Sequence, residues 1–155
     1  MKVIFLDVDG VLNNAVTTER SPSGYKGVSG DLIRKLRRIA AATGAQIVLS
    51  SDWRLVRDDP VHGRDYLYLV RKLRFFGNLR ISGHTDDISW NKRGKEIRRY
   101  LEDHQEITEF VVLDDIPFSD FFHRDLMRHL VLTDQKKGLT EKDVDKAIRI
   151  LLPEA

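Results

Sequence analysis

The sequence predicts an α/β fold: a mostly parallel sheet with helices on both faces. Apolar runs alternate with segments of helical periodicity along the whole chain, the pattern of repeated strand–helix–strand units. The clearest runs, Val3-Ile4-Phe5-Leu6 and Phe110-Val111-Val112-Leu113, are apolar at every position, as in a strand covered on both sides. At 155 residues the chain suits one domain, spanning 1–155, around one core.

The elements follow in order. The first strand is Val3–Leu6, and a polar, glycine-bearing loop runs from Asn13 to Gly30. Leu32, Ile33, Leu36, Ile39 and Ala40 fall at helical spacing, and Gly44 is a stop. Gln46-Ile47-Val48-Leu49 is the second strand, ending at Ser50-Ser51. Tyr66, Leu69, Val70 and Leu73 form a second helical stripe, closed by Gly77-Asn78, and a short strand is expected near Leu79–Ile81. A helix carrying Ile97, Tyr100 and Leu101 precedes the strand Phe110–Leu113, and Leu130-Val131-Leu132 is a further short strand. Thr140-Glu141-Lys142-Asp143 reads as a capping box with Asp in place of Glu. Behind it Val144, Ala147, Ile148 and Leu151 make the last helix, stopped by Pro153. The Asn13–Gly30 loop has room for a hairpin-like flap and the segment Asp52–Asn91 for a helix and a loop, so no separate cap domain is expected.

Composition narrows the function classes. Hydrophobic content of 41% and charged content of 32% are those of a soluble globular protein. No apolar run is long enough to span a bilayer, and a first strand starting at Val3 leaves no room for a signal peptide, so a cytoplasmic location is expected. The absence of cysteine excludes disulfides, cysteine-ligated zinc and a cysteine nucleophile. Net charge is +2, and the basic runs, such as Arg37-Arg38 and Arg98-Arg99, sit on expected helices where they read as solvated faces. His62, His84, His104, His123 and His129 lack metal-ligand spacing.

The chemistry lies at the ends of the strands. Open parallel sheets bind ligands at the carboxyl ends of their strands. The first strand runs into Asp7-Val8-Asp9-Gly10, the second into Ser50-Ser51-Asp52, and a later one into Asp114-Asp115, with Asp120 close behind. Asn91-Lys92-Arg93-Gly94-Lys95 supplies a cationic helix start between them. A carboxylate two residues from another can attack phosphorus while its neighbour moves a proton. Gly10 permits a sharp turn that lets backbone N–H groups approach a phosphate. A carboxylate attacking an anionic phosphoryl group needs a hard cation to offset repulsion, and oxygen ligands suit Mg²⁺. Asp7 with one or both of Asp114 and Asp115 fits that need, and a hydroxyl at Ser50 or Ser51 can grip a phosphate oxygen. A calcium loop of EF-hand type is excluded because its sixth position, which needs glycine, is Leu12.

These motifs, in this order, resemble those of the haloacid dehalogenase (HAD) superfamily, mostly aspartate-nucleophile phosphatases. Asp-Val-Asp-Gly-Val-Leu-Asn, Ser-Ser-Asp-Trp-Arg, Arg-Gly-Lys-Glu-Ile and Val-Leu-Asp-Asp, with the late Gly138-Leu139-Thr140, are similar to the small capless HAD domains associated with RNA-repair proteins. The resemblance implies a doubly wound, Rossmann-like sheet without a large cap. It implies a Mg²⁺-dependent phosphomonoesterase working through an aspartyl-phosphate on a phosphorylated substrate, with nucleic-acid ends or nucleotides as candidates. Asp7 would be the nucleophile, and Asp9 the general acid/base and a metal ligand through its backbone carbonyl. Ser50, with Ser51 as alternate, and Gly10 would bind phosphate. Asp114 and Asp115 would complete the metal site. Arg93 is the favoured phosphate-neutralising cation, where the superfamily usually has lysine; Lys92 and Lys95 are alternates.

Two other readings compete. A receiver-like signalling domain also combines acidic residues, a hydroxyl, a cation and Mg²⁺, but its acidic pair and phosphoryl-accepting Asp lie on separate strands. Asp9, two residues after Asp7, favours turnover over storage. A non-catalytic phosphate-binding module is disfavoured because no motif position is visibly lost. Asp86-Asp87 read as loop solvation or a helix cap, and Trp53 and Trp90 as packing residues. Oligomeric state does not follow from the sequence.

Overall fold

The computed structural model describes residues 1–88, 90–123 and 125–154. Five strands, β1 (Lys2–Leu6), β2 (Gln46–Leu49), β3 (Ile81–His84), β4 (Glu109–Asp114) and β5 (Leu130–Leu132), form one sheet in the order β3-β2-β1-β4-β5. Every pairing is parallel, so each crossover carries the chain back over a face of the sheet. The helices are α1 (Gly30–Thr43), α2 (Gly63–Gly77), α3 (Arg93–Asp103), the single turn α4 (Asp120–His123) and α5 (Glu141–Leu151). The doubly wound sheet expected from the sequence is present.

Strand alternation divides the core in two. Ile4 and Leu6 of β1 face α1, α2 and α5, where they meet Leu36, Leu69 and Val144. Val3 and Phe5 face the other way, toward Ile97 of α3 and Phe121 of α4. Phe5 packs edge-on against Tyr100 and Phe110, at centroid separations of 5.7 and 5.8 Å. The central strands β1, β2 and β4 carry unbroken apolar runs because both faces are covered, whereas the edge strand β3, Ile-Ser-Gly-His, is only partly buried.

Local chemistry sets the ends of the helices. Ser29 accepts from Leu32 N at the start of α1, and Gly44 closes it. Thr140 and Asp143 form the reciprocal capping box expected at α5. The third strand lies two residues later than the expected Leu79–Ile81. Asn78, at φ 48°, closes α2 with its N–H on Arg74 O, and Leu79 N continues the turn onto Leu73 O. The side chain of Leu79 therefore serves the α1–α2 core rather than the ladder.

The Asn13–Gly30 segment is a hairpin-like flap, as expected. Arg20 and Lys26 form an antiparallel bridge, with Ser21 N on Tyr25 O and Gly27 N on Glu19 O. The stretch from Asp52 to Asn91 holds a 3-10 turn (Asp52–Val56), α2 and β3. No helix among the described residues is long and apolar enough to cross a membrane.

Replacing Thr140 with alanine removes one side-chain acceptor and half of a reciprocal pair. Thr140→Ala should cost about 1 kcal/mol in denaturant unfolding at unchanged m-value.

Candidate functional site

Strand register brings the chemistry together. Leu6 pairs with Leu49 on one side and with Leu113 on the other. The next residue of each strand, Ser50, Asp7 and Asp114, therefore falls in one row. Backbone hydrogen bonds continue across that row: Ser50 N to Leu6 O (3.0 Å), Asp7 N to Leu113 O (2.9 Å) and Thr133 N to Asp114 O (2.9 Å). The chain winds toward β2 and β3 on one side of β1 and toward β4 and β5 on the other. The β1–β4 seam is thus the switch point where open α/β sheets leave a crevice.

Asp7 and Asp114 are both buried at this seam. Arg93, at the start of α3, reaches between them. One of its guanidinium nitrogens lies 2.8 Å from Asp114 Oδ2 and 3.2 Å from Asp7 Oδ1, and the other lies 3.4 Å from Asp52 Oδ1. Phe118 lies against the guanidinium, 4.7 Å from ring centroid to carbon. Burial works against the charge of Arg93, but Asp114 and Asp7 outweigh it and hold the group protonated. Burial, then repulsion from Asp114, pushes the Asp7 carboxyl well above the usual carboxylate range despite Arg93. Asp114 is raised as well, by burial, with Arg93 opposing.

Asp115 completes an acidic group. Ligand oxygens of Asp7, Asp114 and Asp115 lie within 4.8 Å of one another. Among the described residues one arginine faces these three carboxylates, so their full ionisation leaves excess negative charge, and the donors are the hard oxygens that Mg²⁺ accepts. The residues present fit a divalent cation at this point.

The loop after β1 is shaped around that group. Gly10 has φ 80°, and a methyl group on it would lie 2.3 Å from Asp115 Oδ2. Its N–H, expected to face a ligand, is instead directed to Asn13 Oδ1 (2.8 Å), because Asn13 folds back under the turn. Its carbonyl accepts from Thr133 Oγ1 at 2.7 Å. Asp9 is exposed, with one oxygen held by Asn13 Nδ2 (2.8 Å) and the other by Trp53 Nε1 (3.2 Å).

The structure separates the two candidate serines. Ser51 Oγ accepts from Trp53 N and caps the 3-10 turn. Ser50 Oγ is fully buried in the row beside Asp7 and makes no hydrogen bond within the protein, which leaves its hydroxyl available to a ligand or a water. Thr85 Oγ1, just past β3, is unpartnered in the same way. Among the candidate cations only Arg93 enters the acidic centre; Lys92 and Lys95 are exposed. Asp120 serves the centre indirectly, its carboxylate accepting Gly94 N (3.1 Å) and Lys95 N (2.9 Å) at the start of α3. Gly94 permits this approach, since a Cβ there would lie 2.9 Å from the Asp120 carboxyl.

A buried ion pair joins the second and third motifs. Arg54 donates to Ser50 O, Ser51 O and Thr85 O, and pairs with Glu96 Oε2 at 2.9 Å. Glu96 also accepts from Ile88 N. The sequence reading did not single out Arg54 or Glu96. Nor did it assign roles to Asn13, Thr85 or Thr133, although Asn13 and Arg54 close the first two motif strings. Trp53 is packed as expected, stacked on Tyr68 at 6.4 Å and 28°, and its indole N–H is an added function. Trp90 departs from the expected packing role and is 88% exposed.

A cavity of about 660 Å³ opens beside Asp9 and Asp115, bounded by Tyr25 and Lys26 of the flap, Trp53, His62 and Lys136.

A parallel doubly wound sheet with acidic side chains crowded at its switch point is consistent with a HAD-like domain. The chain belongs to the family described as the HAD domain in Swiss Army Knife RNA repair proteins, whose model matches residues 3–144. That membership points to a hydrolase of phosphatase type. No curated protein and no solved structure matches the chain.

Two outcomes follow from the charge balance. Arg54→Ala leaves Glu96 buried without its cation and should cost about 3–5 kcal/mol in equilibrium unfolding. Asp7→Asn relieves carboxylate crowding while leaving Asp114 paired to Arg93. It should raise the melting temperature of the metal-free protein by about 2–4 °C, the shift of a gain near 1 kcal/mol in a domain of this size.

Proposed function

We propose that this chain is a Mg²⁺-dependent phosphomonoesterase that turns over through a phosphorylated Asp7. The observation that carries the reading is Asp7 itself. It is a buried carboxylate at the switch point, in contact with Arg93, grouped with Asp114 and Asp115, and neighbour in the sheet to the unpartnered Ser50 hydroxyl.

In the first step an Asp7 oxygen attacks phosphorus, the bond to the leaving oxygen breaks, and Asp9 gives that oxygen its proton. In the second step Asp9 takes a proton from water, whose oxygen attacks the phosphorus of the acyl phosphate, releasing phosphate and restoring Asp7. Arg93 and the Ser50 hydroxyl offset and hold the phosphoryl oxygens during both displacements. Asp7, Asp114 and Asp115, with the backbone carbonyl of Asp9, would hold a Mg²⁺ ion, which would supply the charge that lets one anion approach another. Asp9 also weighs against a receiver-like role, because an acid/base beside the nucleophile drains the phosphoenzyme.

The substrate we favour is a nucleic-acid end or a nucleotide bearing a terminal phosphate. The cavity beside Asp9 has room for a nucleoside, with aromatic walls at Tyr25 and Trp53 and cations at Lys26 and Lys136. The family description, which names RNA repair, agrees with this choice. We assign the chain to the cytoplasm as a single catalytic domain.

Asp7→Asn should lower hydrolysis of 4-nitrophenyl phosphate by at least about 10³-fold, and retained activity would refute the nucleophile assignment. EDTA should silence the wild type and added Mg²⁺ restore it; activity that survives chelation would remove the metal from the reading. A panel of 3′- and 5′-phosphorylated oligonucleotides, mononucleotides and sugar phosphates tests the substrate class, which fails if sugar phosphates have the highest kcat/KM.

A further inference from the structure

We propose that Asn13 and Trp53 are positioning residues that clamp the Asp9 carboxylate for proton exchange with the leaving group, an assignment that rests on the phosphatase reading above. Asp9 is exposed, and an exposed aspartate ordinarily samples several rotamers. Here each oxygen has its own donor, Asn13 Nδ2 on Oδ1 and Trp53 Nε1 on Oδ2. Rotation of the carboxylate about its Cβ–Cγ bond must break one or both bonds.

Both donors are themselves fixed. The Asn13 amide is buried, with Oδ1 accepting from Gly10 N (2.8 Å) and Nδ2 donating also to Gly27 O (2.9 Å). Reversing that amide would set donor against donor at Gly10 and acceptor against acceptor at Gly27 and Asp9, so its orientation is determined. Trp53 is held by its stack on Tyr68 and by Ser51, which caps its backbone N–H. Tyr68 is anchored in turn, donating to Glu19 and accepting from Val28 N. The clamp thus joins the loop after β1 to the turn after β2 and to the flap.

The two bonds are unequal, at 2.8 Å from Asn13 and 3.2 Å from Trp53. Asp9 and Trp53 both border the cavity, the space left for the leaving group. Oδ2 is therefore the oxygen that exchanges the proton. An oxygen that carries its proton is a weaker acceptor than a carboxylate oxygen, so the indole bond to Oδ2 is weak while Asp9 is the acid. As the proton passes to the leaving oxygen and the P–O bond breaks, Oδ2 gains charge and the bond from Trp53 Nε1 strengthens. That strengthening comes as the acid is spent, so it favours the transition state over the ground state. The clamp matters in proportion to the leaving oxygen's need for a proton.

Leaving-group dependence tests this. Benzyl phosphate and 4-nitrophenyl phosphate are similar in size, but the benzyl oxygen must be protonated and the nitrophenolate need not be. Values of kcat/KM report the steps up to formation of the phosphoenzyme. Trp53→Phe should lower kcat/KM for benzyl phosphate at least about tenfold more than for 4-nitrophenyl phosphate, part of the 10²–10⁴ that an acid catalyst contributes. An equal loss on both substrates would show that the ring only packs, and no loss on either would show that its N–H is idle; each overturns the proposal. A wild type that hydrolyses neither substrate marks failure of the phosphatase reading itself, and the clamp falls with it. Should Trp53→Phe fail to fold, benzothienylalanine in place of Trp53, in a Trp90→Phe background, keeps the bicyclic ring and deletes only the N–H. The same tenfold selectivity is expected there, and its absence overturns the proposal.

Discussion

Arg93 between Asp7 and Asp114 is the contact around which the remaining parts of the site are arranged. Two buried carboxylates side by side repel, and with Asp115 nearby the repulsion grows. Without a buried cation the row of acids at the β1–β4 seam could not coexist with a closed core. The guanidinium meets only part of that demand, since Asp7 remains hard to ionise beside it. A second positive charge at the same point would complete the balance. The same imbalance that disfavours the empty centre therefore favours a divalent cation in the loaded one.

The position of Arg93 depends on parts with no reactive role of their own. Asp120 caps the first turn of α3 and Gly94 leaves room for it, which fixes where the guanidinium emerges. Glu96, one turn on, is tied through Arg54 to the carbonyls of Ser50, Ser51 and Thr85. The helix that brings the cation is thereby bonded to the strand ends that bring the hydroxyl. A shift of α3 by one residue would pull apart both the Arg54–Glu96 pair and the Arg93–Asp114 pair, so the two buried pairs fix a common register.

The elements and the acidic centre were legible in the sequence for a simple reason. Strands buried on both faces carry unbroken apolar runs, so the first polar residue after each run marks the strand end, and in a parallel sheet those ends share one edge. Asp7, Ser50 and Asp114 were visible by that rule, and the family likeness ordered them. What was not legible was pairing at a distance. Arg54 and Glu96 look like surface charges in sequence, because their burial depends on meeting each other across 42 positions. Gly10 was read for a sharp turn that brings backbone N–H groups toward a phosphate; the turn is present, but its own N–H goes to Asn13 and its lack of a side chain leaves room for Asp115, which the sequence did not reveal. The strand near Leu79 was displaced because that leucine fits a helix-capping turn as well as a ladder, and local sequence does not rank the two.

The wall of the cavity facing Asp9 is built as a fixed structure. Flaps that close over active sites keep few contacts with the body they cover, so that opening costs little. This flap is bonded on three sides. Ser23 N donates to Asp65 on α2, Tyr68 links Glu19 and Val28, and Lys72 pairs with Glu19. Toward α5, Asn14 Nδ2 reaches Lys137 O and Ala15 N reaches Lys136 O. Asn13, at its root, holds both the Gly27 carbonyl and the Asp9 carboxylate. Lifting the flap would break the bond from Asn13 to the Asp9 carboxylate. On the proposed mechanism, the substrate therefore enters through the standing opening of the cavity, which Tyr25 and Lys136 border, without any closing motion.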